Sequence, residues 1–309
     1  MTKRISTIGM THTEWLELRK NGIGGSDAGA ICGLNPYASP MSVYYDKTQV
    51  EIEDYDNEAM RQGRDLEDYV AKRFTEETGK KVRRSNVMYW SEAHPFMYAN
   101  VDRLIVGEDA GLECKTASPY SEDKWKDGKI PEHYQIQCHH YMAVTGASVW
   151  YLAVVILGRE FKLYEIKRDE TLINDLIQIE KNFWNQHVSK GLMPEPDGSQ
   201  ICDEIIRKYY PTAEQETTIL PSGFNAKLER RMELIQLMER MQTEQRAIEQ
   251  EIKLYMKNNN LAFNEHYRIA WNEVETLRLD TKRLKQERPE VYDEYAYKSH
   301  SRRFTVRAA

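Results

Sequence analysis

Asp102, Glu113 and Lys115 fall within the fourteen residues "DRLIVGEDAGLECK". The chain on either side is apolar and β-rich, and "VGEDAG" between them has turn chemistry. An antiparallel pair folded at that turn sets Asp102 beside Glu113. Residues i and i+2 of a strand share a face, so Glu113 and Lys115 project together. Two carboxylates and an ammonium at one point suit metal-dependent phosphodiester hydrolysis. Asp102 and Glu113 can hold one or two hard cations, Mg²⁺ first and Mn²⁺ as an alternative. Such a cation acidifies a water and offsets the charge of the scissile phosphate, while Lys115 orients the nucleophile or offsets phosphate charge. A surface cross-strand ion pair has the same composition, but the apolar flanks argue against a solvated cluster.

Three further polar groups stand near this segment in the sequence. Glu67 lies on a helix expected over 57–78 and closed by Gly79. Gln137 and Tyr141 are four apart on one face of a helix expected over 133–146, with Gln135 on a neighbouring face. Taken singly, each reads as an ordinary helix position. A fourth feature, "GIGGSDAG" at 22–29, follows a helix over 12–21. Its glycines fit either a plain turn or a place where backbone amides approach an anion, with Ser26 or Asp27 capping a short helix that ends near Gly33.

The surrounding elements fall in a consistent order. "SPMSVYYDKTQ" reads as a helix, and the segments at 80–90, 97–106 and 110–117 read as a three-stranded meander. Strands over 148–158 and 160–169 follow the 133–146 helix, the first nearly all apolar and therefore central. An amphipathic helix from 169 to 191 completes an α/β domain, residues 1–200. Residues 201–224 read as a polar connector. A C-terminal extension, residues 225–309, opens with a long amphipathic helix over 226–256 and continues through a hairpin at 262–275 to a basic tail.

With 309 residues the chain has ample apolar content for a core. No stretch has the length and apolarity of a membrane span, and "MTKRISTIGMT" lacks the apolar centre of a signal peptide, so the expectation is a cytoplasmic protein without a membrane partner. Four scattered cysteines fit neither a disulfide framework, a zinc site nor an iron–sulfur cluster. His133, His139 and His140 lack a suitably spaced fourth zinc ligand and read as structural. The absence of GxxxxGK[ST] means that movement on DNA is not driven by ATP. The net charge is −6, unevenly spread: 17 basic against 14 acidic residues over 225–309, and 26 against 35 elsewhere. That balance disfavours generic nucleic-acid binding through phosphate neutralisation.

Taken in order, the motifs resemble the PD-(D/E)XK nuclease superfamily and, within it, the lambda exonuclease and YqaJ-like viral recombinase family. Asp102 matches the motif aspartate, although "NVD" replaces the usual Pro-Asp; Glu113-Cys114-Lys115 matches ExK; Glu67 matches the helix glutamate; Gln137 and Tyr141 match QxxxY. The resemblance covers roughly residues 12–190. It implies a restriction-endonuclease-like α/β core, a central mixed sheet flanked by helices, to which this chain adds its long-helix extension. It implies catalysis by Asp102, Glu113, Lys115 and Gln137, with Glu67, Asp102 and Glu113 as metal ligands. Arg19, seven residues before Ser26, joins Gly25 and Ser26 in binding a terminal 5′-phosphate, and Gln135 and Tyr141 complete the DNA contacts.

The activity so implied is Mg²⁺-dependent 5′→3′ digestion of double-stranded DNA ends, leaving 3′ tails for phage-type recombination with a single-strand annealing protein as partner. A phage or prophage origin in a bacterial host follows from the same likeness. The family's ring-shaped homotrimer, which encloses its DNA, would lessen the need for a basic surface. A structure- or sequence-specific endonuclease on the same fold is the rival reading. A catalytically silent DNA-binding module is a third, opposed by the intact Asp102, Glu113 and Lys115.

Overall fold

The computed structural model describes residues 2–50, 57–214, 216–299 and 301–307. The chain divides into two compact units, Met1–Tyr210 and Pro211–Ala309. The first unit is built on a five-stranded mixed sheet in the order β2-β5-β6-β7-β8. Its strands are β2 (Val82–Arg84), β5 (Arg103–Ile105), β6 (Ala110–Ala117), β7 (Val149–Ile156) and β8 (Glu160–Lys167). Only β6 and β7 run parallel, joined by the crossover helix α5 (Glu132–Thr145). The apolar β7 lies between β6 and β8, as its composition predicts. A second sheet, β1-β3-β4, holds β1 (Thr2–Ser6), β3 (Val87–Ser91) and β4 (Tyr98–Asn100).

The expected meander is therefore two sheets rather than one. The segments at 82–91 and 98–105 form one antiparallel hairpin whose halves belong to different sheets. Arg84 pairs with Arg103 in one sheet and Met88 with Asn100 in the other, so the first strand carries one extra residue across the break. That is a β-bulge, which bends the strand and re-aims side chains. Asp102 sits on the partner side of the bend, between β4 and β5. The N-terminal strand β1 was not legible as a strand, since all of it is exposed and it carries no apolar face.

The two faces of the five-stranded sheet hold different helices. Leu112, Cys114 and Ala153 pack with Val70, Ala71 and Phe74 of α4 (Glu58–Thr78). On the other face Trp150, Leu152 and Val154 pack with Cys138, Tyr141 and Met142 of α5. Strand alternation therefore turns Leu112 and Cys114 toward α4, and Glu113 and Lys115 toward α5. Both helices stop where glycine permits a left-handed residue, at Gly79 (φ 71°) and Gly146 (φ 84°).

Helix α1 (His12–Lys20) opens with a capping box, Thr11 and Glu14 bonding each other's backbone N–H. It leads through "GIG" into α2 (Gly25–Ile31), whose N-cap is Gly24 rather than Ser26 or Asp27. Asp27 instead reaches back as the third helical residue and accepts from the Gly24 N–H at 2.9 Å. Helix α3 (Pro40–Thr48) follows, and α6 (Glu170–Phe183) packs against α5 after the sheet.

The expected polar connector contains a further helix, α7 (Gln200–Tyr209), capped by Ser199. Its Cys202 and Ile205 are buried with Met41 of α3, because apolar residues at 202, 205, 206 and 209 keep helical spacing amid the charges. In the second unit, α8 (Phe224–Met256) is the long helix, and β9 (Leu261–Phe263) pairs antiparallel with β10 (Arg268–Ala270). Two short helices, α9 (Thr281–Glu287) and α10 (Pro289–Tyr295), precede the basic tail, part of which lies outside the described residues. No described helix is long and apolar enough to cross a membrane.

Candidate active site

A cleft of about 220 Å³ opens where the bent hairpin, α1, α2 and α5 meet. It is lined by Asp102, Glu113, Lys115, Gln137 and Tyr141 from the bend, β6 and α5, by Trp15, Arg19, Gly24, Gly25 and Ser26 from α1 and α2, and by Tyr98 and Asn100 of β4.

Glu113 is 2% exposed and shares its sheet face with Lys115 and with the apolar Trp150, Leu152 and Val154. Its Oε1 accepts from Gln137 Nε2 at 2.7 Å and faces Lys115 Nζ at 2.5 Å. Gln137 also donates to the Tyr141 hydroxyl at 2.8 Å, so one turn of α5 fixes the carboxylate. The other oxygen, Oε2, is buried with no hydrogen-bond partner. A lone carboxylate oxygen in that state is costly unless something satisfies it. Asp102 Oδ2 accepts the Cys114 N–H at 2.8 Å, which ties the bend to β6.

Removal from water, and behind it the Glu113 charge, push Asp102 up to about 7, against the opposing pull of Lys115. Burial would strip the Lys115 proton, but the adjacent Glu113 carboxylate outweighs it and the ammonium is held more firmly than usual. Its Nζ also lies 5.0 Å from the centre of the Tyr134 ring. The donor set fits a hard divalent cation: two carboxylates converge, one oxygen lacks a partner, and the single Lys115 ammonium only partly offsets their repulsion.

Glu67 does not join this group. It sits on α4, across the sheet from Glu113, and is bonded to the guanidinium of Arg103. Arg103 is 4% exposed; it also donates to the Asp102 carbonyl at 2.7 Å and to Asp68 at 2.6 Å. Burial, with the nearby Asp102 charge, still raises the Glu67 pKa. Among the described residues no three His, Cys, Asp or Glu side chains form a ready metal cage. Gln135 is half-buried on α5 and does not line the cleft.

On the α1–α2 side of the cleft the Arg19 guanidinium stacks on Trp15, 4.9 Å from the ring centre, and donates to Ser26 Oγ at 3.3 Å. Gly25 explains part of "GIGGSDAG". A Cβ there would lie 2.5 Å from the Tyr141 ring and 3.1 Å from Gln137, so only glycine lets α2 meet the residues that fix Glu113. Gly22 is equally constrained, by the Tyr98 ring at 1.9 Å. Sequence reasoning missed Tyr98 and Asn100 on the wall, Arg103 behind Glu67, and the Asp27–Lys47 ion pair behind Arg19. A basic residue directly after Asp102 in a β-rich run was the available signal for Arg103.

His140 is fully buried between Glu180, 2.7 Å from Nδ1, and the Tyr98 carbonyl, 2.8 Å from Nε2. It holds β4 in place without lining the cleft.

Residues 14–148 match the YqaJ-like viral recombinase domain. The uncharacterized protein YqaJ of Bacillus subtilis (strain 168) is 39% identical over 302 residues, which cover 96% of this chain and 95% of that one. Among solved structures, the alkaline exonuclease LHK-Exo of Laribacter hongkongensis is similar in its complex with dAMP, at TM-score 0.51 and 20% identity, over 65% of this chain and all of that one. A second structure of LHK-Exo gives TM-score 0.49 with the same identity and coverage. The core thus has the mixed, helix-flanked sheet of the PD-(D/E)XK nucleases, and the chain belongs to the YqaJ-like viral recombinase family.

Proposed function

We propose that this protein is a Mg²⁺-dependent nuclease that digests double-stranded DNA from its 5′ ends, leaving 3′ single-stranded tails for recombination. The observation that carries the reading is that one cleft is lined both by the Asp102–Glu113 carboxylate pair and by Arg19 with Ser26. Membership of a recombinase family and a fold shared with an alkaline exonuclease support a nuclease on DNA.

In this reading Asp102 and Glu113 hold the cation, and Glu67, bonded to Arg103 through Oε1, has its other oxygen to offer as a further ligand. The bound cation supplies Lewis acidity, acidifying a water and offsetting charge on the scissile phosphate. Gln137 holds Glu113 in one rotamer so that Oε2 is the oxygen left to offer. Lys115, beside Glu113, orients the attacking water or offsets charge on the phosphate. Arg19 presents its guanidinium, steadied by Trp15, to a terminal phosphate, which carries more charge than an internal diester. Helix α2 is too short for its dipole to matter much, so the side chains carry this recognition. A single-strand annealing protein as partner and assembly into a homo-oligomeric ring belong to the same proposal.

The test is digestion of matched linear and covalently closed circular duplexes with Mg²⁺, with Mn²⁺ and with chelator. Loss of the linear form alone, only with the cation, is the expected result. Cleavage of the closed circle would instead establish an endonuclease on this fold.

A further inference from the structure

Behind Arg19 lies an ion pair that the hydrolytic chemistry does not use. Asp27 Oδ2 is 2.7 Å from Lys47 Nζ, and the Lys47 side chain is only 4% exposed. The Arg19 guanidinium is also near Asp27, but looser, with Nη2 3.7 Å from Oδ1. The same Nη2 is closer to Ser26 Oγ, at 3.3 Å, within the cleft. Arg19 thus stands between a carboxylate behind it and the place where a phosphate would sit. A carboxylate next to an anion site is unfavourable unless something cancels it. Lys47 does so: Arg19, Asp27 and Lys47 sum to one positive charge, which the nearby Asp46 carboxylate offsets, and without Lys47 the set would be net negative.

We propose that Lys47 is a specificity-determining positioning residue. By neutralising Asp27 from within, it keeps the Arg19 guanidinium free for a terminal phosphate instead of letting it close on Asp27. This rests on the reading of Arg19 and Ser26 as the 5′-phosphate site. The state of Asp27 agrees with it. Burial would raise that carboxyl, yet Lys47 first and Arg19 second hold it at about 2. A bland alternative exists, because Lys47 Nζ also donates to the Arg19 carbonyl at 3.1 Å and so fastens the end of α1 to α3. The two accounts differ in what removing Asp27 does. If Lys47 acts by cancelling charge, deleting the charge it cancels makes it dispensable; if it only anchors backbone, it does not.

The experiment measures initial rates on matched blunt duplexes bearing 5′-phosphate or 5′-hydroxyl, in Mg²⁺, and takes their ratio. Lys47→Met should lower the phosphate-to-hydroxyl ratio about five- to twentyfold, approaching that of Arg19→Ala. The double variant Asp27→Asn/Lys47→Met should return the ratio to within about threefold of wild type. Should Lys47→Met fail to fold, Asp27→Asn alone serves: it should keep or raise the ratio, because Asn still accepts the Gly24 N–H. Lys47→Met at the wild-type ratio, a double variant as low as the single, or a ratio that falls in Asp27→Asn would each overturn the inference. Its failure is separable from that of the reading beneath it. A preference lost in Arg19→Ala but kept in Lys47→Met overturns the role of Lys47 alone. A wild type and an Arg19→Ala variant both indifferent to the 5′ group overturn the phosphate site and this inference with it.

Discussion

The two groups of residues that line the cleft, called here its two ends, differ in how their charges are met. At the Asp102–Glu113 end, two carboxylates face one ammonium, and a buried oxygen is left unpartnered. On the Arg19 side, Arg19 and Lys47 face Asp27, with the Asp46 carboxylate nearby, and Asp27 is paired from within by Lys47. The first lacks positive charge, whereas the second presents a guanidinium to the cleft. In the proposed function a metal ion would answer the first and a terminal phosphate would be met by the second. A single cleft holding both is suited to a nucleic-acid end with a cation at its scissile bond. The difference also separates chemistry from recognition: removing a group from the first end should stop hydrolysis, whereas removing one from the second should change which ends are digested.

The largest effect belongs to the first end. Asp102→Ala, Glu113→Ala and Lys115→Ala should each reduce hydrolysis by about a thousandfold or more on every substrate. The fold should persist in the two carboxylate variants, since the carboxylates repel each other without a cation; circular dichroism and thermal melting check this. Wild-type turnover by any of the three would remove the assigned hydrolytic end. Next comes Arg19→Ala. A charge-assisted hydrogen bond is worth about 1.5–3 kcal/mol, roughly ten- to hundredfold in rate. The loss should fall on 5′-phosphorylated ends and nearly vanish on 5′-hydroxyl ends. Equal slowing on both would dissolve the distinction between the ends.

Gly25→Ala probes what joins them. Its Cβ would lie 2.5 Å from the Tyr141 ring, so α2 and α5 must part. Overpacking of this kind costs about 1–3 kcal/mol, visible as a lower Tm. Because Tyr141 and Gln137 both move, the rate should fall in parallel on phosphate and hydroxyl ends, unlike the Arg19 variant. The smallest effect is on acid stability. Asp27 is held at about 2, below its ordinary value, so its stabilisation is complete above about pH 4 and is lost as the pH falls toward 2. That amounts to about 2 kcal/mol. Urea denaturation across this window should show a shallower acid slope for Asp27→Asn; identical slopes would mean that the Asp27–Lys47 pair carries no such energy.

Strand periodicity made the first end legible. Alternation around "GLECKTA" puts Glu113 and Lys115 on one face, and the turn before it returns Asp102 to their side. The bulge was not legible, because 82–91 and 98–105 hold neither glycine nor proline to mark where one sheet yields to the other. Nor was the place of Glu67. Sequence spacing sets its position along α4, but whether α4 covers the face of Glu113 or that of Leu112 depends on packing against Cys114 and Ala153. At the second end, Arg19 and Ser26 stood out through their spacing. Lys47 did not, because "YYDKT" looks like any solvated helix end until α1 and α2 bury it. The same holds for α7, whose apolar stripe is diluted by charges and flanked by prolines.

The central claim is digestion from 5′ ends, and strand-resolved product analysis tests it most directly. A linear duplex with 5′-phosphates and a fluorophore at each 3′ terminus, distinct in colour, is incubated with enzyme and Mg²⁺ and sampled on a denaturing gel. The account predicts that both labelled strands shorten progressively from their 5′ sides while the labels stay on long fragments, and that chelator or Glu113→Ala stops this. Immediate release of labelled mononucleotides from the 3′ termini, or the same digestion in the presence of chelator, would contradict it.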